Sequence, residues 1–173
     1  MDRISRINSE RNPGHSVYPV NFSMGEIESI CKTPEETFAL GERLASSLDA
    51  GDVVLLYGGL GVGKTLLTKG ILTGLEYDTD EVTSPSFAFV NLYKTDRFDV
   101  YHIDLWRLNA GGDVASVVGL EEILENEDTA VIIEWADRLG AISFPNRTIT
   151  IMIEGDGDEP RSIVIGEAAF AKI

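Results

Sequence analysis

Gly58-Gly59-Leu60-Gly61-Val62-Gly63-Lys64-Thr65 has the residue types and spacing of a phosphate cradle, GxxxxGK[ST]. Ordinary residue frequencies place such a match by chance in roughly one of two hundred chains this long. Its setting narrows that further. The apolar run Val53-Val54-Leu55-Leu56-Tyr57 precedes it and the helical pattern from Leu66 to Leu75 follows. A strand entering a glycine-rich turn that opens a helix aims backbone N–H groups and the helix's positive end at one point, which suits a polyphosphate. Gly58 and Gly63 permit close backbone approach, Lys64 can reach the β and γ phosphates, and the Thr65 hydroxyl can ligate magnesium. A glycine-rich loop that merely capped a helix would explain neither the Lys-Thr pair nor its place after a buried strand.

A phosphate loop needs an acid on a neighbouring strand to position magnesium, directly or through its water shell. Glu134 follows Ala130-Val131-Ile132-Ile133, so a buried strand would carry its carboxylate to the edge where open α/β sheets bind ligands. Asp104 ends Val100-Tyr101-His102-Ile103 and is placed for the same edge. Acids also follow strands where chains simply leave the core. His102 shares a strand face with Asp104, but one His and one Asp make a thin metal site, and His102 is expected to bond the nearby turn. Arg107, Arg138 and Arg161 are candidate stabilisers of phosphate charge, against the usual role of arginine as a solvated surface residue.

The elements that carry these groups point to a mixed sheet. Glu26 to Lys32 alternates as an edge strand. Thr33-Pro34-Glu35-Glu36 reads as a helix start, with Thr33 capping, Pro34 in the first turn and Glu36 reaching back as a capping-box acid. That helix is expected to run to about Asp49, with Phe38, Gly41, Leu44, Ala45 and Leu48 on one face and Gly51 after it. Thr83-Ser84-Pro85-Ser86-Phe87 is a hydroxyl-rich turn leading into a strand from Phe87 to Tyr93, which pairs as a hairpin with Val100 to Asp104. Short helices are expected within Val114 to Asn126. A C-terminal hairpin joins Thr148 to Ile153 with Ser162 to Ile165 around the acidic turn Glu154 to Glu159. The expected architecture is a single α/β P-loop domain over residues 26–173, with a mixed parallel and antiparallel sheet flanked by helices. Residues 1–25, polar and broken by Pro13, Gly14 and Pro19, are expected to be a disordered tail.

At 173 residues, 43% apolar and 25% charged, the composition is that of one globular domain. The net charge of −15 argues against a broad nucleic-acid surface, because direct binding leaves a basic footprint. Any role with RNA would be indirect. Cys31 is the only cysteine, which excludes an intramolecular disulfide. The sequence has neither a bilayer-length apolar run nor a signal-peptide core, so the expected location is cytoplasmic.

Two elements resemble those of GTPases. Tyr93-Lys94-Thr95-Asp96 contains Lys-x-Asp, and Asp137-Arg138-Leu139-Gly140 spells DxxG. Position 93 lacks the Asn or Thr of a guanine reader and the two occur in reversed order, so adenine is favoured. A small-molecule kinase generally carries a lid and several basic acceptor-binding residues, and no arginine-rich segment occurs here.

From about Glu28 to Ile165 the chain resembles the bacterial TsaE family, formerly YjeE, the ATPase of tRNA threonylcarbamoyladenosine synthesis. The resemblance rests on the Gly58 to Thr65 loop, the Thr83 to Phe87 turn, His102-Ile103-Asp104-Leu105-Trp106-Arg107-Leu108, Gly119-Leu120-Glu121-Glu122 and Ile133-Glu134-Trp135. It implies ATP, hydrolysed to ADP, and one Mg2+, with Gly58, Gly59, Leu60, Gly61, Val62, Gly63, Lys64, Thr65 and Leu66 around the phosphates. It further implies Thr65 and Glu134 near the metal, Lys64, Asp104 and Glu134 in catalysis, and Thr83, Ser84, Pro85, Ser86 and Phe87 as a switch. Trp135 resembles the family's tryptophan beside the nucleotide; read without the family it is equally a core or a partner-facing residue. Thr33 to Glu36 resembles a segment near the base, and Arg161 a late family arginine.

The chain departs from the family in three places. Ser86 stands where Thr is common, Leu66 replaces a second threonine, and Ala136-Asp137 replaces Pro-Glu. None removes a core chemical group, and only contacts specific to position 66 are put in question. The family binds the TsaB and TsaD proteins and uses ATP to keep their cycle turning over on ANN-reading tRNAs, which it reaches only through them. An acidic ATPase fits that division. A nucleotide-dependent binding switch without a required hydrolysis step, and a small-molecule kinase, are the alternatives.

Overall fold

The computed structural model describes residues 26–109, 113–140, 142–155 and 160–167. The expected tail over residues 1–25, the Gly111-Gly112 pair and most of the acidic turn before β7 lie outside them. The strands are β1 (Ile27–Cys31), β2 (Val53–Tyr57), β3 (Val90–Lys94), β4 (Asp99–Asp104), β5 (Thr129–Glu134), β6 (Thr148–Glu154) and β7 (Arg161–Glu167). The helices are α1 (Pro34–Ala45), α2 (Lys64–Gly74), α3 (Val114–Val117) and α4 (Leu120–Leu124), with 3-10 turns at Thr79–Glu81 and Ala136–Leu139.

Seven strands form one sheet in the order β1-β7-β6-β2-β5-β4-β3. β2 lies parallel to both β5 and β6, and β4 is parallel to β5. The β3–β4, β6–β7 and β1–β7 pairs are antiparallel. The sheet is therefore mixed, with the expected hairpins at β3–β4 and β6–β7. β5 is buried along its whole length, as its run of Ala, Val and Ile requires of a strand covered on both faces.

α1 and α2 cover one face, packing Leu40, Ala45, Leu67 and Ile71 on Val54, Leu56, Ile132 and Ile151. α3, α4 and the Ala136–Leu139 turn cover the other, over Val53, Leu55, Ile103, Val131 and Ile133. The two helices of the first face meet at glycines. A Cβ on Gly70 would overlap the Phe38 carbonyl, and one on Gly41 the Leu67 carbonyl. No helix among the described residues is long and apolar enough to cross a membrane.

Three local features differ from the sequence reading. Glu36 reaches back one residue further than a capping box does, accepting the Lys32 N–H at 2.5 Å, while the Glu36 N–H donates to Thr33 Oγ1 at 3.3 Å. α1 ends at Ala45 rather than near Asp49. The Ser46 and Ser47 hydroxyls donate to the carbonyls of Arg43 and Leu44, and the Arg97 guanidinium takes those of Ala45 and Leu48. These partners replace the next helical turn. β3 begins at Val90 rather than Phe87 because Phe89, at φ 65°, closes a tight turn by donating its N–H to the Pro85 carbonyl at 2.6 Å.

Candidate functional site

β2 delivers the chain into the glycine-rich loop against β6. Gly58 has φ 141°, and a Cβ there would strike the Ile153 carbonyl, so this crossing accepts only glycine. Gly63, at φ 110°, turns the chain into α2. The Val62 carbonyl is held from behind by the Arg161 guanidinium, Nε donating at 2.8 Å. Sequence position alone did not suggest this bracing contact.

Leu60, Gly61, Gly63, Lys64, Thr65 and Leu66 line one side of a cleft of about 240 Å³; Ser84, Ser86, Asp104, Trp106, Glu134 and Trp135 line the other. Gly58, Gly59 and Val62 belong to the same loop without lining the cleft, Arg161 lies behind it on the Val62 carbonyl, and Thr33 caps α1 outside it. Lys64 is buried, its Nζ donating to the carbonyls of Gly58 at 2.8 Å and Gly59 at 2.6 Å. The same ammonium lies 3.7 Å over the Trp135 ring. Burial pushes its pKa down to about 8, although the carboxylates of Glu134 and Asp104 draw it back up.

Asp104 and Glu134 lie directly opposite in the parallel β4–β5 register. Both side chains face α2, yet their partners differ. Thr65 Oγ1 donates to Glu134 Oε2 at 3.0 Å, while His102 Nε2 lies 2.8 Å from Glu134 Oε1. Asp104 Oδ1 accepts the Trp106 N–H at 2.8 Å, and its Oδ2 accepts the hydroxyls of Ser86, at 2.9 Å, and Ser84. The hydroxyl-rich turn is thus tied to the carboxylate at the end of β4. Its base is held too, because the Tyr93 hydroxyl donates to the Thr83 carbonyl at 3.1 Å.

Pro85 is buried, whereas Phe87 is 82% exposed with the Arg107 guanidinium 4.2 Å over its ring. Arg107 does not line the cleft. Arg138 stacks near both indoles, 5.2 Å from the Trp106 ring and 5.3 Å from that of Trp135, and donates to the Leu108 carbonyl. Trp106 and Trp135 are themselves 4.4 Å apart.

His102 does not bond the nearby turn; it reaches across to β5 and Glu134. Its same-face spacing with Asp104 was the available signal, but the partner strand can be assigned only once β4 and β5 are neighbours. Trp106 lines the cleft but was not singled out as a site residue from the sequence.

The arrangement can fit magnesium. The Thr65 hydroxyl and Glu134 carboxylate are hard oxygen donors 3.0 Å apart, close to the separation of about 2.9 Å between adjacent oxygens around an ion with 2.0–2.1 Å bonds. Magnesium takes few protein ligands beside phosphates.

The chain matches the family model described as threonylcarbamoyl adenosine biosynthesis protein TsaE over residues 31–163. It is similar to the tRNA threonylcarbamoyladenosine biosynthesis protein TsaE of Rickettsia felis, 37% identical over 116 residues that cover 67% of this chain and 66% of that protein. The protein of the same name from Bacillus subtilis is 35% identical over 130 residues, covering 75% of this chain and 78% of the relative. A crystal structure of Bacillus subtilis YdiB superposes with a TM-score of 0.65 at 28% identity, covering 86% of this chain and 90% of that one. The sheet and its helices accordingly form a P-loop NTPase-like fold. With the family match running from the end of β1 into β7, this chain belongs to the TsaE family.

Proposed function

We propose that this protein binds ATP with magnesium and hydrolyses it to ADP and phosphate, and that this cycle supports tRNA threonylcarbamoyladenosine modification through TsaB and TsaD. The observation that carries the reading is the meeting of Thr65 and Glu134 beside Lys64 at the mouth of the glycine-rich loop. Residues 58–66 surround the phosphates. Lys64 leaves the carbonyls of Gly58 and Gly59 and pairs with phosphate oxygens, where its charge offsets charge on the transferring group.

Thr65 and Glu134 hold the metal, directly or through water. When bound, magnesium neutralises charge on the β and γ phosphates and orients them. Asp104 binds the Ser84 to Ser86 turn and thereby couples its position to the cleft. Water attacks the γ-phosphorus, and the bond to the β–γ bridging oxygen breaks. Trp135 flanks the nucleotide, with Thr33 and Arg161 supporting the site from outside the cleft. The acidic chain reaches tRNA only through its partners.

The testing experiment is tRNA modification with purified TsaB, TsaD and their remaining pathway components, with and without this protein and ATP. The expected result is multiple turnovers only when both are present, with inorganic phosphate release stimulated by partners and abolished by Lys64→Ala. Multiple turnovers without this protein would remove the proposed role.

The bonds from Ser84 and Ser86 to Asp104 favour a second reading, a binding switch in which hydrolysis only resets the partner interaction. Under that reading a slowly hydrolysed ATP analogue would sustain modification over many cycles.

A further inference from the structure

We infer that His102 is a positioning residue that orients Glu134 by donating Nε2–H to Oε1, so that Oε2 alone is turned towards Thr65 and the cleft. This rests on the reading that Glu134 serves a nucleotide-bound magnesium ion. His102 is wholly buried, and its Nε2 lies 2.8 Å from Glu134 Oε1. An ionised carboxylate only accepts hydrogen bonds, so the imidazole must be the donor. Its Nδ1 has no hydrogen-bond partner among the described residues. A proton there would leave a buried N–H without an acceptor. The bond to Glu134 and the lack of an acceptor at Nδ1 thus select the same tautomer.

The bond matters because it occupies the one Glu134 oxygen that Thr65 does not take. Asp104 stands opposite it in the β4–β5 register with both oxygens engaged by Ser84, Ser86 and the Trp106 N–H. Glu134 presents Oε2 to Thr65 while His102 holds Oε1, so the two contacts together set the carboxylate's orientation. Hydrogen-bonded partners of metal ligands commonly change metal affinity by about 10–100-fold when removed.

The test compares wild type with His102→Leu, which removes the donor, and His102→Gln, whose amide nitrogen reaches about as far as Nε2. Imidazole nitrogen NMR on the ligand-free protein is expected to show one buried ring protonated at Nε2 and bare at Nδ1. The chain has two histidines, and loss of the resonance in His102→Gln assigns it. Magnesium titrations of ATP binding, followed by tryptophan fluorescence, are expected to show a midpoint raised about tenfold or more in His102→Leu but less than about threefold in His102→Gln. Binding of ATP in excess chelator should stay the same in all three.

An unchanged magnesium midpoint in folded His102→Leu, an equal loss in His102→Gln, or a ring protonated at Nδ1 would each overturn the inference. If His102→Leu does not fold, the wild-type resonance and His102→Gln decide between the same outcomes. Wild type that binds no ATP with magnesium would defeat the functional reading instead, while the resonance would still report whether His102 donates to Glu134.

Discussion

Thr65 opens the helix after the glycine-rich loop and Glu134 ends a strand 69 residues later, yet hydroxyl and carboxylate meet at 3.0 Å. Replacing the hydroxyl by a methyl group of similar volume isolates its contribution. Thr65→Val is expected to raise the magnesium requirement of ATP binding and lower hydrolysis by about tenfold or more, with the fold intact. Equal magnesium midpoints for variant and wild type in a fluorescence titration would remove Thr65 from the proposed metal site.

Asp104 holds three donors on two oxygens. An asparagine has one acceptor oxygen and cannot keep all three. Asp104→Asn is expected to reduce partner-stimulated phosphate release by about tenfold or more while changing nucleotide affinity less than about threefold. Amide exchange over residues 84–89 should quicken in the variant. Wild-type hydrolysis with partners present would show that the tether between turn and strand has no catalytic consequence.

The ammonium of Lys64 sits at about 8 instead of the ordinary 10.5 in the ligand-free protein. Phosphate oxygens favour its charged form, so binding takes up a proton once the pH exceeds that value. Apparent ATP affinity is therefore expected to fall as pH rises above 8, approaching about tenfold per unit by pH 9.5. Lys64→Arg, charged throughout, should flatten the profile; an equally steep fall in that variant would assign the effect to another group. For folding the sign is opposite. The unfolded chain binds more protons between about 8 and 10.5, so the Lys64 contribution makes the free protein more stable as pH rises through that window.

Gly70 faces α1 where no side chain fits. Gly70→Ala drives a methyl group at the Phe38 carbonyl and is expected to destabilise the protein by about 1–3 kcal/mol in equilibrium unfolding, despite alanine's better helix propensity. A stabilised variant would mean that α1 and α2 can separate without cost.

The parts that were legible in the sequence are those whose physics is local. The β2 and β5 runs are apolar because both faces are covered, and Thr33-Pro34 announces a helix start whose cap depends on neighbouring atoms alone. Gly58 to Thr65 combines a positive-φ turn with a helix opening, again within a few residues. The end of α1 was different. Its periodicity continues to Leu48, but Arg97, supplied from the β3–β4 turn, takes the carbonyls that another helical turn would have used.

The start of β3 was obscured in the same way, because Phe87-Ala88-Phe89 has strand-forming residues but wraps towards Asp104 as a turn. The acids Asp104 and Glu134 could be placed at strand ends, but their unlike roles follow from which hydroxyls and rings surround them. The His102 bond to Glu134 crosses between strands and has no short-range signature.

The brace between Arg161 and Val62 joins residues 99 positions apart. Synthesis runs from the N-terminus, so the whole glycine-rich motif leaves the ribosome well before the guanidinium that holds it. Nascent chains ending before Arg161 carry every residue of the motif and lack its rear support. On the proposed reading, nucleotide capture is an ability the chain acquires late in its own manufacture, when β7 docks, and nascent chains stalled before Arg161 are expected to bind ATP far more weakly than those stalled after β7 has emerged.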